Sequence, residues 1–255
     1  MVNKAKILTV DSMSGGVVKT TFSMMLANIY SCLDRNVLLI DLDLYSGNLA
    51  FALGSNNKYS IYNLCDDIKN SKLEDMGRYI SRVRDNISFI SAPKDMRLAS
   101  KVDLKAFNSA LSILRYSYDV IIIDTNHTLS GVNMIAYENS DKILTLLSND
   151  SYSLQNTKSF LTIVNHMKVD NVLLVMNYSH RLDLETYSNY DIKTILGRNI
   201  DYTIDRKLYL NNYNKLVIEE KVIDFDNNYS PSEFKYYQEL ADCMINILEE
   251  GKDEK

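Results

Sequence analysis

The sequence predicts an α/β domain with a mostly parallel sheet that is covered by helices on both faces. Two observations lead to this prediction. Short apolar segments typical of buried strands alternate with longer segments of helical periodicity along the chain. Several strand segments are apolar on both faces, as expected when helices cover both sides of a sheet. Such alternation produces right-handed βαβ units, and therefore parallel strands.

The predicted elements follow one another in a regular order. The first strand is 6–11, and a loop rich in Ser and Gly connects it to a helix at 20–33, where apolar residues recur at helical spacing. We detect no repeat, linker or break in composition, so residues 1–255 are assigned to a single domain. Further strands are predicted at 36–43, 86–91, 119–124, 142–147, 171–177 and 200–204, and further helices at 104–116, 154–167 and 230–249.

Composition and charge narrow the classes of partner. The 255 residues are 46% hydrophobic and 24% charged, which suits a globular chain with a substantial core. The net charge of -5 argues against DNA binding, which needs a basic face. No run of 18 apolar residues is present, so direct membrane insertion is not expected. We therefore predict a cytoplasmic protein.

The cysteines and histidines argue against a disulfide framework and against zinc. The three cysteines are far apart and form no CxxC pair, and we interpret them as reduced core thiols. The three histidines show no spacing typical of metal ligands. These residues are Cys32, Cys65, Cys243, His127, His166 and His180.

Polar side chains end several of the predicted strands, namely Asp11, Asp41, Asp43, Asp124 and Asn177. In a parallel α/β sheet, ligands bind beyond the carboxyl ends of the strands. The pattern therefore predicts a site at that edge. Acidic strand ends are also common at ordinary turns, so the two aspartates at 41 and 43 alone would favour a turn.

The loop between the first strand and the first helix reads Asp11-Ser-Met-Ser-Gly-Gly-Val-Val-Lys-Thr-Thr21. A loop in this position can direct backbone N–H groups at phosphate oxygens, and the helix dipole adds a positive field. Lys19 would reach the terminal phosphates, and the Thr20 hydroxyl would hold Mg²⁺. The alternative is a solvated Gly-Ser turn followed by a chance Lys-Thr-Thr.

Three segments in the same order resemble the ParA/MinD family of P-loop ATPases. The first, 14–21, resembles the family's deviant Walker A loop, in which Lys-Gly-Gly-x-Gly-Lys precedes two Ser or Thr residues. The second, 38–48, resembles an Ile-Asp-x-Asp segment followed by Gly-Asn, and the third, 118–125, resembles the Walker B strand. Asn177 ends a strand where the family places an adenine-reading Asn.

The resemblance implies that ATP and Mg²⁺ are the cofactors, and it assigns roles to residues of this chain. Lys19 would neutralise the phosphates and assist catalysis, and Asp43 would position the attacking water. Thr20 would ligate Mg²⁺, with Asp124 binding through a water and Asp41 supporting the metal shell. The remaining nucleotide-binding residues would be Gly15, Gly16, Val17, Val18, Thr21 and Asn177.

The sequence departs from the family pattern at several positions. Ser14 replaces the family's signature lysine, which reaches across a dimer that encloses two nucleotides. Val18 replaces the glycine that precedes Lys19. A β-branched residue there restricts the backbone and crowds the phosphates. Met13 stands near the first glycine of the general P-loop, and Asn126 and His127 replace prolines after the Walker B strand. We therefore expect a weak or inactive ATPase.

The segment 41–50 lacks the Pro-Gln of chromosome-partitioning ParA proteins and looks more like the TadZ/CpaE branch. The segments 60–68 and 114–119, and the ISFISAP before Lys94, fit that branch as well. This resemblance implies a homodimer that localises or assembles a Tad-type pilus or secretion machine through protein partners. It would act at a cell pole or at the inner-membrane face.

Four alternatives remain open at this stage. A partitioning ATPase would carry a basic surface in its C-terminal half, where basic clusters are sparse. A MinD-like protein would end in a basic amphipathic helix, whereas residues 247–255 are acidic. A tyrosine kinase would end in a tyrosine cluster, as 229–237 could suggest. The fourth alternative is a scaffold that works without nucleotide.

Overall fold

The computed structural model of the chain describes residues 4–178 and 187–204, which contain eight strands and seven α-helices. The strands are β1 (Lys6–Asp11), β2 (Val37–Leu42), β3 (Ser81–Arg84), β4 (Ile87–Ile90), β5 (Val120–Thr125), β6 (Lys142–Leu147), β7 (Val172–Asn177) and β8 (Tyr202–Ile204). The helices are α1 (Lys19–Cys32), α2 (Asn48–Ala52), α3 (Ile61–Lys69), α4 (Leu104–Leu114), α5 (Gly131–Asn139), α6 (Ser151–His166) and α7 (Asn189–Leu196). Two short 3-10 helices lie at Met76–Tyr79 and Met96–Lys101.

All eight strands form one sheet, in the order β3-β4-β2-β5-β1-β6-β7-β8. Every neighbouring pair is parallel except β3 and β4, which are antiparallel. The register of that pair shifts between Arg82 and Arg84. The predicted fold class, a mostly parallel sheet in an α/β fold, is therefore confirmed.

Alternate residues of the central strands face two separate cores. In β2, Val37 and Leu39 pack in the core that α1 covers, whereas Leu38 and Ile40 pack in the core that α3, α4 and α5 cover. All four side chains are completely buried. This arrangement explains why the strand sequence is apolar at every position rather than at every second one.

The helix predicted at 20–33 is present as α1, which is buried at every position from Thr21 to Tyr30, so its apolar stripe is wider than that of a surface helix.

Several short elements were not predicted from the sequence. Helix α3 begins with a capping box in which Asn63 takes the place usually held by Glu or Gln. The edge strand β3 has the sequence SRVR, which lacks the apolar run of a buried strand. The other unpredicted elements are α2, α5, α7 and the two 3-10 helices.

One interpretation of the cysteines was wrong. Cys65 is buried as expected, but Cys32 is exposed because it lies at the end of α1, where the helix leaves the sheet. Cys243, the predicted closing helix at 230–249, the acidic end at 247–255 and the tyrosines at 229–237 lie outside the described residues. Within 4–178 and 187–204, no helix combines the length and apolarity that a membrane span requires.

The core around α4 gives a direct test of the two-faced sheet. Phe107 is completely buried, so Phe107→Ala should lower the free energy of unfolding by about 3–5 kcal/mol. Ile113 lies on the same helix with 45% of its side chain exposed, and Ile113→Ala should cost well under half as much. Urea unfolding monitored by circular dichroism measures both values, and equal losses would contradict the packing described here.

Candidate functional site

The polar strand ends identified in the sequence meet at one edge of the sheet. Asp41 on β2 lies directly beside Asp124 on β5, and Asp124 lies beside Val10 on β1. The loop from Ser12 to Val18 leaves the same edge and leads into α1, and Asn177 ends β7 two strands away. The structure thus brings the residues of all three sequence segments into one region.

The loop before α1 adopts the curved shape that left-handed residues produce. Gly16 has φ of 77°, and a Cβ built on Gly15 or Gly16 would meet no atom within 4 Å, so this side of the loop is open. Val17 anchors the loop, with only 1% of its surface exposed. Its carbonyl accepts a hydrogen bond of 2.9 Å from Nδ2 of Asn177. The open side of the loop therefore leads into the first turn of α1, where backbone N–H groups lack partners within the helix.

Asn177 lies behind this loop with 2% of its surface exposed. Its amide supports the loop backbone, and this contact was not foreseen from the sequence. Its role in adenine binding stays a prediction.

Val18 occupies the left-handed region, with φ of 66° and ψ of 35°. For a β-branched residue this is a genuine outlier, because Cβ crowds the backbone there. Strain of this kind costs about 1–3 kcal/mol and persists only where the surroundings impose it. Val18 was expected to restrict the backbone of the loop. The loop instead keeps a left-handed turn that suits glycine, and the valine adopts it at a cost in strain.

Hydroxyl groups of α1 bind the carboxylate at the end of β5. Oγ1 of Thr20 donates to Oδ2 of Asp124 at 2.8 Å, and Oγ of Ser23 donates to Oδ1 at 2.9 Å. Thr20 and Ser23 are three residues apart, so they lie on the same side of the helix. Ser23 was missed in the sequence, although this spacing from Thr20 was a signal for it.

Asp41 is completely buried, and only one of its oxygens has a partner. Its Oδ1 accepts a hydrogen bond of 2.9 Å from the backbone N–H of Asp43, whereas Oδ2 is a buried atom without a hydrogen bond. Burial, and next the negative charge of Asp124, raises the pKa of Asp41 well above its ordinary value. Asp43 itself is half-buried and follows at the start of the next turn.

Lys19 provides a positive charge at this edge. Its Nζ donates to Oγ of Ser12 at 3.3 Å, and no carboxylate of the described residues lies within 4.0 Å of it. Burial raises the pKa of Asp124 to about 6, while hydrogen bonds from Thr20 and Ser23 and the charge of Lys19 act in the opposite direction. The ammonium group thus forms no ion pair with a described residue, although its charge acts on both Asp11 and Asp124.

A third buried carboxylate, Asp11, lies below the loop. Its Oδ1 accepts a hydrogen bond of 3.0 Å from Oγ1 of Thr125, and burial raises its pKa to about 6. Its Oδ2 makes no hydrogen bond of normal geometry, although the Tyr137 hydroxyl is close enough to favour the ionised form of Asp11. Asp11 and Asp124 are therefore alike, since burial raises the pKa of both and the charge of Lys19 lowers it.

Polar side chains shape the segment after β5, where the family pattern has prolines. Oδ1 of Asn126 accepts hydrogen bonds from the N–H of Thr128 at 3.0 Å, from its Oγ1 at 2.8 Å and from Nδ2 of Asn133 at 3.0 Å. These bonds fix a turn that proline rings would otherwise stiffen. His127 points outward and is exposed.

The donor set fits Mg²⁺ with a phosphorylated ligand. Mg²⁺ prefers oxygen ligands and commonly binds one or two protein groups together with phosphate oxygens and waters. Thr20, Asp41 and Asp124 supply such oxygens, and one oxygen of Asp41 has no other partner. The described residues contain no cluster of three His, Cys, Asp or Glu side chains arranged to hold a metal by themselves. A metal here would therefore depend on the ligand's own oxygens.

Comparisons with known proteins agree with this geometry. A family model described as an AAA domain matches residues 5–176, which is well over half of the chain. The chain belongs to the ParA/MinD family of P-loop ATPases. It is 24% identical over 200 residues to the chromosome-partitioning ATPase Soj of Thermus thermophilus, covering 78% of this chain and 75% of Soj. It is 28% identical over 224 residues to an uncharacterised protein of Pseudomonas putida, covering 81% and 83%.

Solved structures of this ParA/MinD-family fold are also similar. A ParA family ATPase from Chlorobium tepidum superposes with a TM-score of 0.79 at 16% identity, over 92% of this chain and 97% of that one. The cell division ATPase MinD of Pyrococcus furiosus gives a TM-score of 0.76 at 20% identity, over 95% and 99%. The structure of Pyrococcus horikoshii MinD is a complex with Mg-ADP, with a TM-score of 0.74 at 18% identity over 93% and 94%. At these identities the likeness establishes the fold.

The strain at Val18 predicts an unusual effect of glycine. Val18→Gly should raise the free energy of unfolding by about 1 kcal/mol, because relief of about 1–3 kcal/mol of strain exceeds the added entropy of the unfolded chain. Val17→Gly is the matched control and should lower stability, since Val17 is buried. Chemical denaturation measures both, and a destabilised Val18→Gly variant would show that the valine is not strained.

The buried carboxylates predict that the protein is more stable in mild acid. The pKa values of Asp11 and Asp124 rise from 3.8 to about 6 on folding, so the folded chain holds protons that the unfolded chain has released. Stability should therefore increase as the pH falls from about 6 to about 4, by about 1–3 kcal/mol. Folding lowers the pKa values of Asp95, Asp103 and Asp191, and these three groups oppose the gain mainly below about pH 4.

Thermal unfolding at a series of pH values, in buffers without nucleotide, tests this expectation. Asp124→Asn removes one of the groups and should reduce the gain. Asp119→Asn, at an exposed position just before the same strand, is the matched control. Stability that falls steadily below pH 6 would contradict the assignment.

Proposed function

We propose that this ParA/MinD-family chain binds ATP with Mg²⁺, hydrolyses it weakly at most, and serves to position or assemble a protein machine in the cell. One observation carries the nucleotide-binding part of the proposal. The Thr20 hydroxyl is held against the Asp124 carboxylate at 2.8 Å at the end of a loop that also presents Lys19. Hydroxyl, carboxylate and ammonium are the three groups that a phosphate-bound Mg²⁺ site requires.

Each residue of the candidate nucleotide site would have a separate role. Lys19 would neutralise the phosphates together with the N–H groups at the start of α1. Thr20 and Asp124 would hold Mg²⁺, whose bound chemistry is to neutralise charge that develops on the phosphate oxygens. Asp43 would orient a water molecule, and its own backbone N–H is fixed by Asp41 at 2.9 Å. The unpartnered oxygen of Asp41 would gain a polar neighbour when the metal shell forms.

Two features support weak hydrolysis. Ser14 carries no charge, so the loop lacks the cation that the family pattern extends across a dimer, and one source of stabilisation for the transition state is missing. Val18 keeps the turn of the loop but carries a branched side chain where the family pattern has glycine. Phosphoryl transfer depends on positioning and charge neutralisation, so both changes affect turnover more than binding.

For the machine itself, we propose the Tad-type pilus or secretion apparatus, with the protein acting as a homodimer at a cell pole or at the inner-membrane face. The segment 41–50, which leads from β2 into α2, supports this choice by its resemblance to the TadZ/CpaE branch. Among the relatives, MinD of Aquifex aeolicus has been solved in a complex with MinC, so a partner protein is known for one member of the fold. No role in direct membrane insertion is proposed.

A second candidate function is plasmid or chromosome partitioning. It is favoured by the relatives, which include Soj of Thermus thermophilus and a putative plasmid partition protein of Borrelia burgdorferi solved with AMPPNP. The Borrelia structure has a TM-score of 0.71 at 23% identity, over 97% of this chain and 100% of that one. This function would require DNA binding, which the net charge of -5 argues against.

The nucleotide proposal is tested by calorimetric titration with ATP and Mg²⁺. Lys19→Ala should weaken binding by about 10- to 100-fold, because it removes a charge-assisted contact to phosphate. Lys105→Ala, at an exposed position on α4, is the matched control and should bind as the unchanged chain does. If the unchanged chain does not bind ATP, the loop is a relic and the protein is a scaffold that works without nucleotide.

Turnover is tested by restoring the family residues. The double variant Ser14→Lys, Val18→Gly should hydrolyse ATP at least about tenfold faster than the unchanged chain, since it regains a cation for the transition state. Phosphate release measures this rate, with Asp43→Asn in the same background as the inactive control. Equal rates in the chain with and without the double substitution would locate the defect elsewhere in the site.

DNA binding separates the two candidate functions. A gel-shift assay with double-stranded DNA, with ATP present, should show no complex at physiological salt if the protein positions a pilus machine. Salt-sensitive binding would favour partitioning instead.

A further inference from the structure

A pocket of about 200 Å³ lies beside the candidate site, on the side away from β1. The turn after β2 forms one wall of it, and the segment after β4 forms the opposite wall. No role in nucleotide binding has been assigned to this pocket. Its lining includes Tyr45, Ser46, Ala50, Ala92, Lys94 and Met96.

Two large apolar side chains stand at the pocket and are exposed. Tyr45 has 51% of its surface exposed and Met96 has 59%. Between them the lining is small and partly apolar, with Ala92 buried. Exposed aromatic and methionine side chains around a pocket are typical of surfaces that bind another protein.

One cation, Lys94, lines this pocket. Two more lie next to it, since Lys58 follows the lining residue Asn57 and the Arg78 carbonyl accepts a hydrogen bond of 3.5 Å from Nδ2 of Asn57. Nζ of Lys94 donates to Oδ1 of Asn56 at 2.8 Å. Nζ of Lys58 lies 5.9 Å from the centre of the Tyr59 ring, and Cζ of Arg78 lies 4.8 Å from it. In the described part of the chain, no carboxylate lies within 4.0 Å of any of these three cations.

None of the three forms an ion pair within the described residues, although the chain has a net charge of -5 and the charge of Asp67 acts on Arg78 at longer range. Nearby Arg97, by contrast, forms an ion pair of 2.7 Å with Asp95. Lys94 donates to the neutral Asn56, and Arg78 donates from Nη2 to the Tyr59 hydroxyl at 3.0 Å, so their charges are not neutralised by these contacts. Such cations can attract an external anion, and they set the charge of the ligand that the surface favours. A nucleic acid would need a longer basic stripe along its backbone, whereas these three cations form one compact group next to the pocket.

We propose that this pocket binds an acidic segment of a partner protein. An apolar side chain of that segment enters between Tyr45 and Met96, and its flanking carboxylates lie against Lys58, Arg78 and Lys94. The affinity comes from the buried apolar side chain, and the cations provide selectivity for an acidic sequence.

The pocket is connected to the candidate site through one tight turn. The carbonyl of Asp43 accepts hydrogen bonds from the N–H of Ser46 at 3.1 Å and from the N–H of Gly47 at 2.9 Å. Ser46 and Gly47 also line the pocket, and Gly47 has φ of 59°. A segment bound there rests on the turn that fixes Asp43, so partner binding alters the position of Asp43. This last step rests on the role of Asp43 in the proposed function, whereas the binding itself does not.

The binding is tested without nucleotide, by fluorescence anisotropy. The probe is a labelled eight-residue peptide in which one Leu and one Phe are flanked by Glu and Asp, and its control carries Gln and Asn in place of every acid. The acidic peptide should bind at least about tenfold more tightly than the neutral one, and salt should weaken it.

Substitutions locate the binding surface. Lys94→Glu and Arg78→Glu should each weaken the acidic peptide by about three- to tenfold, and Ser46→Trp should block the pocket at an exposed turn position. Lys105→Glu changes the net charge by the same amount at an exposed position on α4 and should have no effect beyond a general charge contribution. Circular dichroism confirms that each variant is folded.

Three results would overturn the proposal. They are equal binding of the acidic and neutral peptides, equal losses in Lys94→Glu and Lys105→Glu, and tighter binding of a single-stranded oligonucleotide of equal charge than of the peptide. The peptide result stands by itself if ATP does not bind. Where ATP turnover is measurable, a change in its rate on adding the peptide tests the connection through Asp43 separately.

Discussion

The structure depends on the burial of three carboxylates at the carboxyl edge of a parallel sheet. Asp11, Asp41 and Asp124 are each at most 1% exposed, on strands β1, β2 and β5, which lie side by side. Burying a charge without a partner is costly, and the neighbouring elements reduce that cost. Hydroxyls from α1 and β5 donate to two of the three, the start of α1 adds a positive field, and Lys19 contributes its charge. These contacts offset the cost of burial only in part, because the pKa values of Asp11 and Asp124 remain raised to about 6.

The large elements of the fold could be predicted because burial on both faces leaves a clear pattern. Strands such as β2 and β5 are continuous apolar runs that end in aspartate, and their limits in the structure differ by one or two residues from those predicted. The shorter elements carry weaker signals. Helix α2 has five residues, and β3 is a four-residue edge strand with two arginines, so neither shows a full period of apolar residues.

The site could be predicted in part, and the missing part depends on strand order. Sequence analysis places Asp41 and Asp124 at strand ends, but only the order β2-β5-β1 makes them neighbours, and β5 follows β1 by more than a hundred residues. The partner in a contact across such a separation cannot be read from the local sequence, even where spacing on a helix marks one of the two residues, as it does for Ser23. The bonds from Ser23 to Asp124 and from Asn177 to the loop are of this kind. The turn at Val18 could not be predicted for another reason. Valine disfavours left-handed dihedral angles, and the shape of the whole loop outweighs that local preference.

The antiparallel edge strand β3 has a consequence for how this protein associates with itself. An unpaired strand edge is a template on which a second chain can add its own strand. Here that edge is four residues long, carries Arg82 and Arg84 and is irregular in register. Short length, like charges and a distorted ladder all oppose pairing with an identical copy. Within the described part of the chain, this edge of the sheet therefore disfavours growth into continuous sheets and fibres.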